Sequence, residues 1–313
     1  MRETVLVTGA LGFLGRAICH FFGEQGWRVI GVDLLPAPED LPVGFAAYHA
    51  MALPSPAFET IVAEYQPRVC VHGAGCASVG MSMNDPAADY RGNTLLVFEV
   101  LDALRRNAAD CRFLLLSSAA VYGDPASLPV TETHPVRPLS PYGYHKRQAE
   151  LVCEEFTAIY GVPTAATRIF SAYGLGLRRQ VVWDICERVL TTGKLKLHGT
   201  GTESRDFIHA ADIARGLHCV ATNAPCAGEV YNLATGRELT ISELAARLLG
   251  ALDCSVLPEF DGAATPGNPR NWRADISRIA ALGFQPAISL EQGLGEVATW
   301  CREELTNSGA LVS

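Results

Sequence analysis

A chain of 313 residues, 49% hydrophobic and 19% charged, has room for one large domain or two modest ones and the composition of an ordinary globular protein. Its net charge of −8, with no basic run and no interleaving of aromatic and basic residues, argues against nucleic acid as a partner. No apolar run approaches the roughly 20 residues that span a bilayer, no signal peptide precedes the first strand-like run, and the ten cysteines stand singly without metal-ligand spacing; the expectation is a cytoplasmic protein free of membrane and metal, with reduced cysteines packed in its core.

The chain opens on "TVLVTG" (4–9), an apolar run that predicts a buried strand, followed by a helix over 13–25. Further strands are predicted at "RVIGVD" (28–33), "GFAAYHA" (44–50), "RVCVHGA" (68–74), "RFLLLSS" (112–118) and "PTAATRIF" (163–170), with helices at 57–65, 86–107 and 141–160. Strands alternating with helices specify an α/β fold, a Rossmann-type doubly wound parallel sheet covered on both faces. Past residue 175, helices near 179–192, 211–222, 240–252 and 289–305 mix with short strands and the loop "FDGAATPGNPRN". This predicts a dinucleotide-binding domain over 1–174, rejoined by parts of 202–235, and a smaller mixed α/β lobe over 175–313 that is mainly substrate-binding.

Between the first strand and first helix, "VTGALGFLG" places Gly9, Gly12 and Gly15 in G-x-x-G-x-x-G spacing. Glycines there permit a tight turn and close approach of a diphosphate, which meets free N–H groups at the helix start. Asp33 closes the second strand, eighteen residues beyond Gly15. A carboxylate at that point accepts hydrogen bonds from an adenosine ribose and repels a 2′-phosphate, which favours NAD over NADP.

In "SPYGYHKRQAE" (140–150), Ser140 is a good N-cap and Pro141 suits the first helical position. Residues four apart share a helix face and residues two apart do not, so Tyr142 rather than Tyr144 can stand with Lys146. The helix start and the ammonium both favour a phenolate, so the pKa of Tyr142 is expected to fall and Tyr142 to serve as a general base.

"TGALGFLG", "SSAAVYG" and "YGYHK", with "RDFIHAADIA" (205–214), "YNLATG" (231–236) and "ADISRIAALGF" (274–284), resemble the extended short-chain dehydrogenase/reductases, in the NAD-dependent sugar epimerase/dehydratase group, from about residue 3 to residue 300. The resemblance implies Tyr142 as base, Lys146 on the nicotinamide ribose, and Ser118 hydrogen-bonding the reacting hydroxyl, with Ser117 as its alternative. It also implies Asn93 as support for the cofactor site, Phe13 and Leu14 as cofactor contacts beside the three glycines, and Tyr144 as a packing residue. On the substrate side Arg205 matches a phosphate-binding arginine; its other reading is a salt bridge with Asp206 or Asp212. Ser171 stands where the group often has a phosphate-contacting asparagine, and Thr265 where it often has an arginine, which Arg270 or Arg273 would replace. Arg178 and Arg179 are further candidates. The acidic residue that usually meets adenine is missing from "YHAMAL". Relatives of this kind often form homodimers through the helices corresponding to 86–107 and 141–160.

Dehydratases of the group usually carry Asp-Glu after the catalytic Ser/Thr, and the decarboxylases a nearby Glu, for proton transfers beyond the first oxidation. Here these positions are Ala119 and Ala120, which transfer no proton. The leading expectation is therefore a nucleotide-sugar 4-epimerase working through a transient 4-keto sugar on NAD. The alternatives are a 4-keto-sugar reductase using NADH or NADPH, a related dehydratase or decarboxylase, an enzyme of a non-nucleotide substrate, and a cofactor-sensing binding protein.

Overall fold

The computed structural model describes residues 2–38, 44–263 and 269–309. The six predicted strand runs become β1 (Thr4–Thr8), β2 (Arg28–Asp33), β3 (Phe45–Ala50), β4 (Val69–His72), β5 (Arg112–Ser118) and β6 (Thr164–Ile169). Short strands β7 (Ser171–Tyr173), β8 (Lys196–Leu197), β9 (Ser204–Arg205) and β10 (Phe207–His209) follow, and β11 (Ala227–Leu233) returns to the first sheet. That sheet runs β11-β6-β5-β4-β1-β2-β3, parallel throughout. The order reverses beside β1, where β2 lies on one side and β4 on the other. A crevice at the carboxyl ends of the strands is expected at such a switch point, and Thr8, Asp33, His72 and Ser118 all stand at those ends.

The helices are α1 (Phe13–Glu24), α2 (Pro56–Tyr65), α3 (Val79–Asn84), α4 (Pro86–Tyr90), α5 (Leu96–Asn107), α6 (Pro141–Tyr160), α7 (Gln180–Thr192), α8 (Ala210–Asn223), α9 (Ile241–Ala251), α10 (Ser277–Ala280) and α11 (Leu290–Asn307). On one face of the sheet, Ile18 and Phe22 of α1 and Leu217 of α8 bury against Val5, Val7 and Val29. On the other, Phe58, Leu101 and Phe156 from α2, α5 and α6 bury against Leu6, Ile30 and Phe113. Each such side chain contributes about 1.5–3 kcal/mol of burial. A separate core joins α7, α9 and α11 through Trp183, Ile185, Leu248, Val297 and Cys301. All ten cysteines are free, seven of them buried and Cys76, Cys219 and Cys254 partly so, in keeping with their expected role as small packing residues. Among the described residues no helix is long and apolar enough to cross a membrane.

Three local features depart from expectation. The single helix predicted over 86–107 is interrupted: α4 passes into a π-helical turn, Arg91–Leu95, before α5 begins. The extra residue in such a turn does not register in a 3.6-residue hydrophobic pattern. Helix α3 was not expected; it is short, and its start is set by Ser78, whose hydroxyl accepts from Met81 N–H at 3.2 Å. β11 is a seventh strand whose first half is only partly buried, so its sequence lacks the apolar run of the others. Thr265 lies outside the described residues.

Candidate active site

The glycine turn follows β1. Gly9 has φ +69°, and a Cβ there would stand 2.7 Å from the backbone of Gly73 and Ala74. A Cβ on Gly15 would fall 2.0 Å from Gly9 O, so the turn and the start of α1 pack backbone against backbone. Gly12 is the N-cap and offers no side-chain acceptor, which leaves N–H groups at the helix start for an anion. Phe13 and Leu14, both partly buried, form the first turn of α1. Asp33 Oδ2 accepts from Leu11 N–H at 2.9 Å and Oδ1 from Leu35 N–H at 3.1 Å. Two of a carboxylate's roughly four acceptor positions are thus used, and the others remain for a ribose. The cradle fits a dinucleotide.

Helix α6 supplies the next groups. Ser140 caps it through Gly143 N–H at 3.3 Å, and Ser82 of α3 accepts from Tyr142 N–H at 3.1 Å. Tyr142 and Lys146 are both 7% exposed. Lys146 Nζ donates to Leu116 O at 2.9 Å and sits 5.9 Å from the Tyr142 ring centroid. Tyr144, on the other face, is 56% exposed. At the end of β5 the Ser118 hydroxyl accepts from Ala120 N–H at 3.2 Å and lies close enough to Tyr142 to favour its phenolate. Ser117 instead donates to Glu150 at 2.6 Å, and Glu150 is also gripped by Arg168 at 2.8 and 2.9 Å. The structure therefore brings Ser118, Tyr142 and Lys146 together and directs Ser117 into a buried brace.

One expectation is reversed. Burial pushes the Tyr142 phenol up to about 12; the Ser118 hydroxyl opposes this, Asp89 adds to it, and Arg179 works against it. Burial also pushes Lys146 down to about 8, with Asp89 opposing. The helix start and the ammonium favour the phenolate, but both groups lose water on folding, which disfavours the charged form of each.

Asn93 stands in the π-helical turn, buried, donating from Nδ2 to Cys76 O at 2.9 Å and to Asp89 Oδ1 at 3.0 Å. It thereby fixes the loop beyond β4 against α4. Its Oδ1 has no partner among the described residues.

The sequence profile of the NAD dependent epimerase/dehydratase family matches residues 5–234. The chain belongs to that family. A putative UDP-glucose 4-epimerase of Methanocaldococcus jannaschii is 28% identical over 311 residues, 95% of this chain and 98% of its own. dTDP-glucose 4,6-dehydratase 1 of Escherichia coli is 28% identical across 95% of this chain and 92% of its own. The crystal structure of UDP-glucose 4-epimerase with UDP-glucose from Thermotoga maritima superposes with a TM-score of 0.88 at 27% identity, covering 97% of this chain and 100% of that one. The protein is thus an enzyme of the NAD-dependent epimerase/dehydratase family, with epimerases and a dehydratase equally near.

The substrate-side candidates of this family member are arranged unevenly. Arg205 does not pair with Asp206 or Asp212. Asp206 accepts from Thr235, Gly236 and Ala274 N–H groups, and Asp212 from those of Ala287 and Ile288. Arg205 spends Nη1 on Ser204 O and Arg270 O, and its guanidinium lies 5.5 Å from the Trp272 ring centroid. Burial lowers its pKa to about 10. Its remaining donors are available to an anion. Arg270 is held by Asp124, with Nε donating at 2.8 Å. Ser171 is partly buried in β7, its N–H on Asp206 O at 2.9 Å. Arg178 pairs with Glu304, whereas Arg179 reaches Ala77 O in the loop beyond β4. Arg273 leaves a buried Nε without a partner among the described residues. Sequence reasoning passed over Ser82, Asp89 and His145. The first two lie in or beside helices whose breaks were not visible, and His145 was hidden between Tyr144 and Lys146.

Proposed function

We propose that this protein is a nucleotide-sugar 4-epimerase. The observation that carries the reading is the buried Ser118–Tyr142–Lys146 cluster with Ala119 and Ala120 directly beside it. Tyr142 takes the proton of the sugar C4 hydroxyl and returns one to the same oxygen once the hydride has come back to the other face of the turned keto sugar, Ser118 hydrogen-bonds that oxygen, and Lys146 holds positive charge near the phenolate. NAD, when bound, accepts the C4 hydride and gives it back. Gly9, Gly12, Phe13, Leu14 and Gly15 would cradle its diphosphate, Asp33 its adenosine ribose, Asn93 and Lys146 its nicotinamide end. Ala119 and Ala120 offer no proton for elimination, which sets this site apart from the work of a dehydratase such as the one in Escherichia coli. Arg205, with Arg270 and Ser171 beside it, would meet the substrate diphosphate. The UDP-glucose named for the Methanocaldococcus and Thermotoga proteins makes a UDP-hexose the first substrate to try.

The purified protein should carry NAD and turn over a UDP-hexose with none added. A reductase would release its cofactor freely and require NADH or NADPH in each turnover. Denaturing the protein and assaying the supernatant for NAD, alongside turnover without cofactor, separates the two.

A further inference from the structure

An arginine unused in the chemistry above stands at the cofactor cradle. Arg16 is the fourth residue of α1 and is exposed. Helix side chains lean toward the N-terminus, and Arg16 follows: its Nε donates to Leu11 O in the glycine turn at 2.8 Å. The N–H of the same Leu11 donates to Asp33 Oδ2 at 2.9 Å. One residue of the turn thus anchors both a guanidinium and a carboxylate. Bond lengths keep N and O of a single residue within about 3.6 Å, so Arg16 Nε and Asp33 Oδ2 lie within about 10 Å of each other. The two charges nevertheless do not pair. Among the described residues no carboxylate oxygen comes within 4.0 Å of the Arg16 guanidinium. Its terminal nitrogens therefore keep their donors for a ligand.

A carboxylate at the adenosine ribose repels a 2′-phosphate when it stands alone. Asp33 does not stand alone. Leu11 and Leu35 N–H groups donate to its two oxygens, and their dipoles offset part of its charge toward a neighbouring anion. The loop after Asp33 is fixed as well, since the Tyr48 hydroxyl donates to Leu35 O. Leu34 and Leu35 in that loop are 73% and 51% exposed, so the ribose position opens toward solvent there, and Arg16, anchored on Leu11, borders it. An arginine beside the ribose-binding carboxylate is the group that accommodates a 2′-phosphate, and its planar fork matches two phosphate oxygens.

Resting on the cofactor cradle proposed above, we propose that Arg16 is a specificity-determining residue through which this site holds NADP as well as NAD. Its guanidinium takes the 2′-phosphate while Asp33 keeps the 3′-hydroxyl of the same ribose.

The purified protein is dialysed to constant composition against NAD and NADP mixed in a series of fixed ratios, desalted and denatured, and the released dinucleotides are separated and quantified. The bound ratio and the total occupancy give relative and absolute retention without any turnover. Wild type should hold NADP within about a hundredfold of NAD. Arg16→Gln keeps a donor for Leu11 O and removes the charge; it should lower NADP relative to NAD by about ten- to a hundredfold, the scale of hydrogen bonds to a charged group. Arg16→Lys should keep part of the NADP binding. A wild-type preference for NAD wider than about a hundredfold, or an Arg16→Gln ratio equal to that of wild type, overturns the proposal. An equal loss of both dinucleotides makes Arg16 a diphosphate contact and overturns it too. Asp33→Asn tests the cradle separately and should raise the NADP share. If that variant alone shifts the ratio, the cradle stands and Arg16 has no part in the choice; if neither variant shifts it, the cradle is misassigned and the proposal falls with it.

Discussion

Tyr142 and Tyr144 lie two positions apart on one helix and meet opposite environments. One is buried against Ser118 and Lys146, the other faces outward. Tyr142→Phe should leave the fold and NAD binding intact and cut turnover by at least about 10²-fold, the scale of lost general acid–base catalysis. Tyr144→Phe should be nearly silent; rates that followed the reverse pattern would contradict the assignment. Arg205 stands at the same scale, since it has donors to spare and no carboxylate partner among the described residues. Arg205→Ala should weaken nucleotide-sugar binding by about 1.5–3 kcal/mol, the range for a hydrogen bond to a charged group. Arg205→Lys should recover only part of this, because an ammonium cannot make a two-pronged contact. Calorimetric titration with a UDP-hexose and separately with NAD checks both points, NAD affinity being expected to hold. The faces of these residues were legible from spacing alone. The burial that raises the Tyr142 pKa was not, because it is supplied by Ser82, the β5 end and the loop beyond β4, all distant in sequence.

Helix α6 is the element on which the site depends. Its start was readable from Ser140 and Pro141, and it spans the predicted residues. What holds it to the sheet was not readable. Glu150 reaches Arg168 of β6 and Ser117 of β5, and Arg168 continues to the Tyr122 hydroxyl at 3.0 Å. This brace sits one residue from Ser118 and one helical turn from Lys146, so it fixes the distance between strand end and helix. Glu150→Ala would leave Arg168 buried without its counter-charge and should cost about 3–5 kcal/mol of stability. Urea unfolding with an unchanged slope and a lowered midpoint would show it; a loss under about 1 kcal/mol, the scale of a surface pair, would refute it. The π-helical turn escaped sequence reading for a related reason. Asp89, Asn93 and Thr94 are polar residues buried at a helix interior, where an apolar stripe was expected, and their partners come from α6 and the loop beyond β4.

At the scale of the molecule, the alternation of strands and helices was enough to give a parallel sheet, and the glycine spacing was enough to give the turn between β1 and α1; the strand order was not legible. The return of β11 beside β6 was less visible, since pairing over 227–233 depends on residues far back in the chain. We propose that the molecule works as a homodimer through α5, the π-helical turn before it, and α6, which leave Leu95, Phe98, Leu151, Ile159 and Tyr160 exposed. An apolar surface of this kind marks an interface more often than bare solvent contact. Sedimentation equilibrium should return twice the mass of the 33.5 kDa chain, and Phe98→Glu with Ile159→Glu should return it to the monomer; a wild type that sediments as monomer contradicts the proposal.

The central claim is that hydride leaves and rejoins C4 of a nucleotide sugar within one site, with Tyr142 handling the proton. Proton NMR of a UDP-hexose incubated with the purified protein in deuterated water, without added cofactor, tests this directly. The account predicts conversion to the C4 epimer with the C4 hydrogen retained, because the hydride never exchanges with solvent. Formation of a 4-keto-6-deoxy sugar, incorporation of deuterium at C4, or an unchanged spectrum across UDP-, GDP-, dTDP- and CDP-hexoses would contradict it.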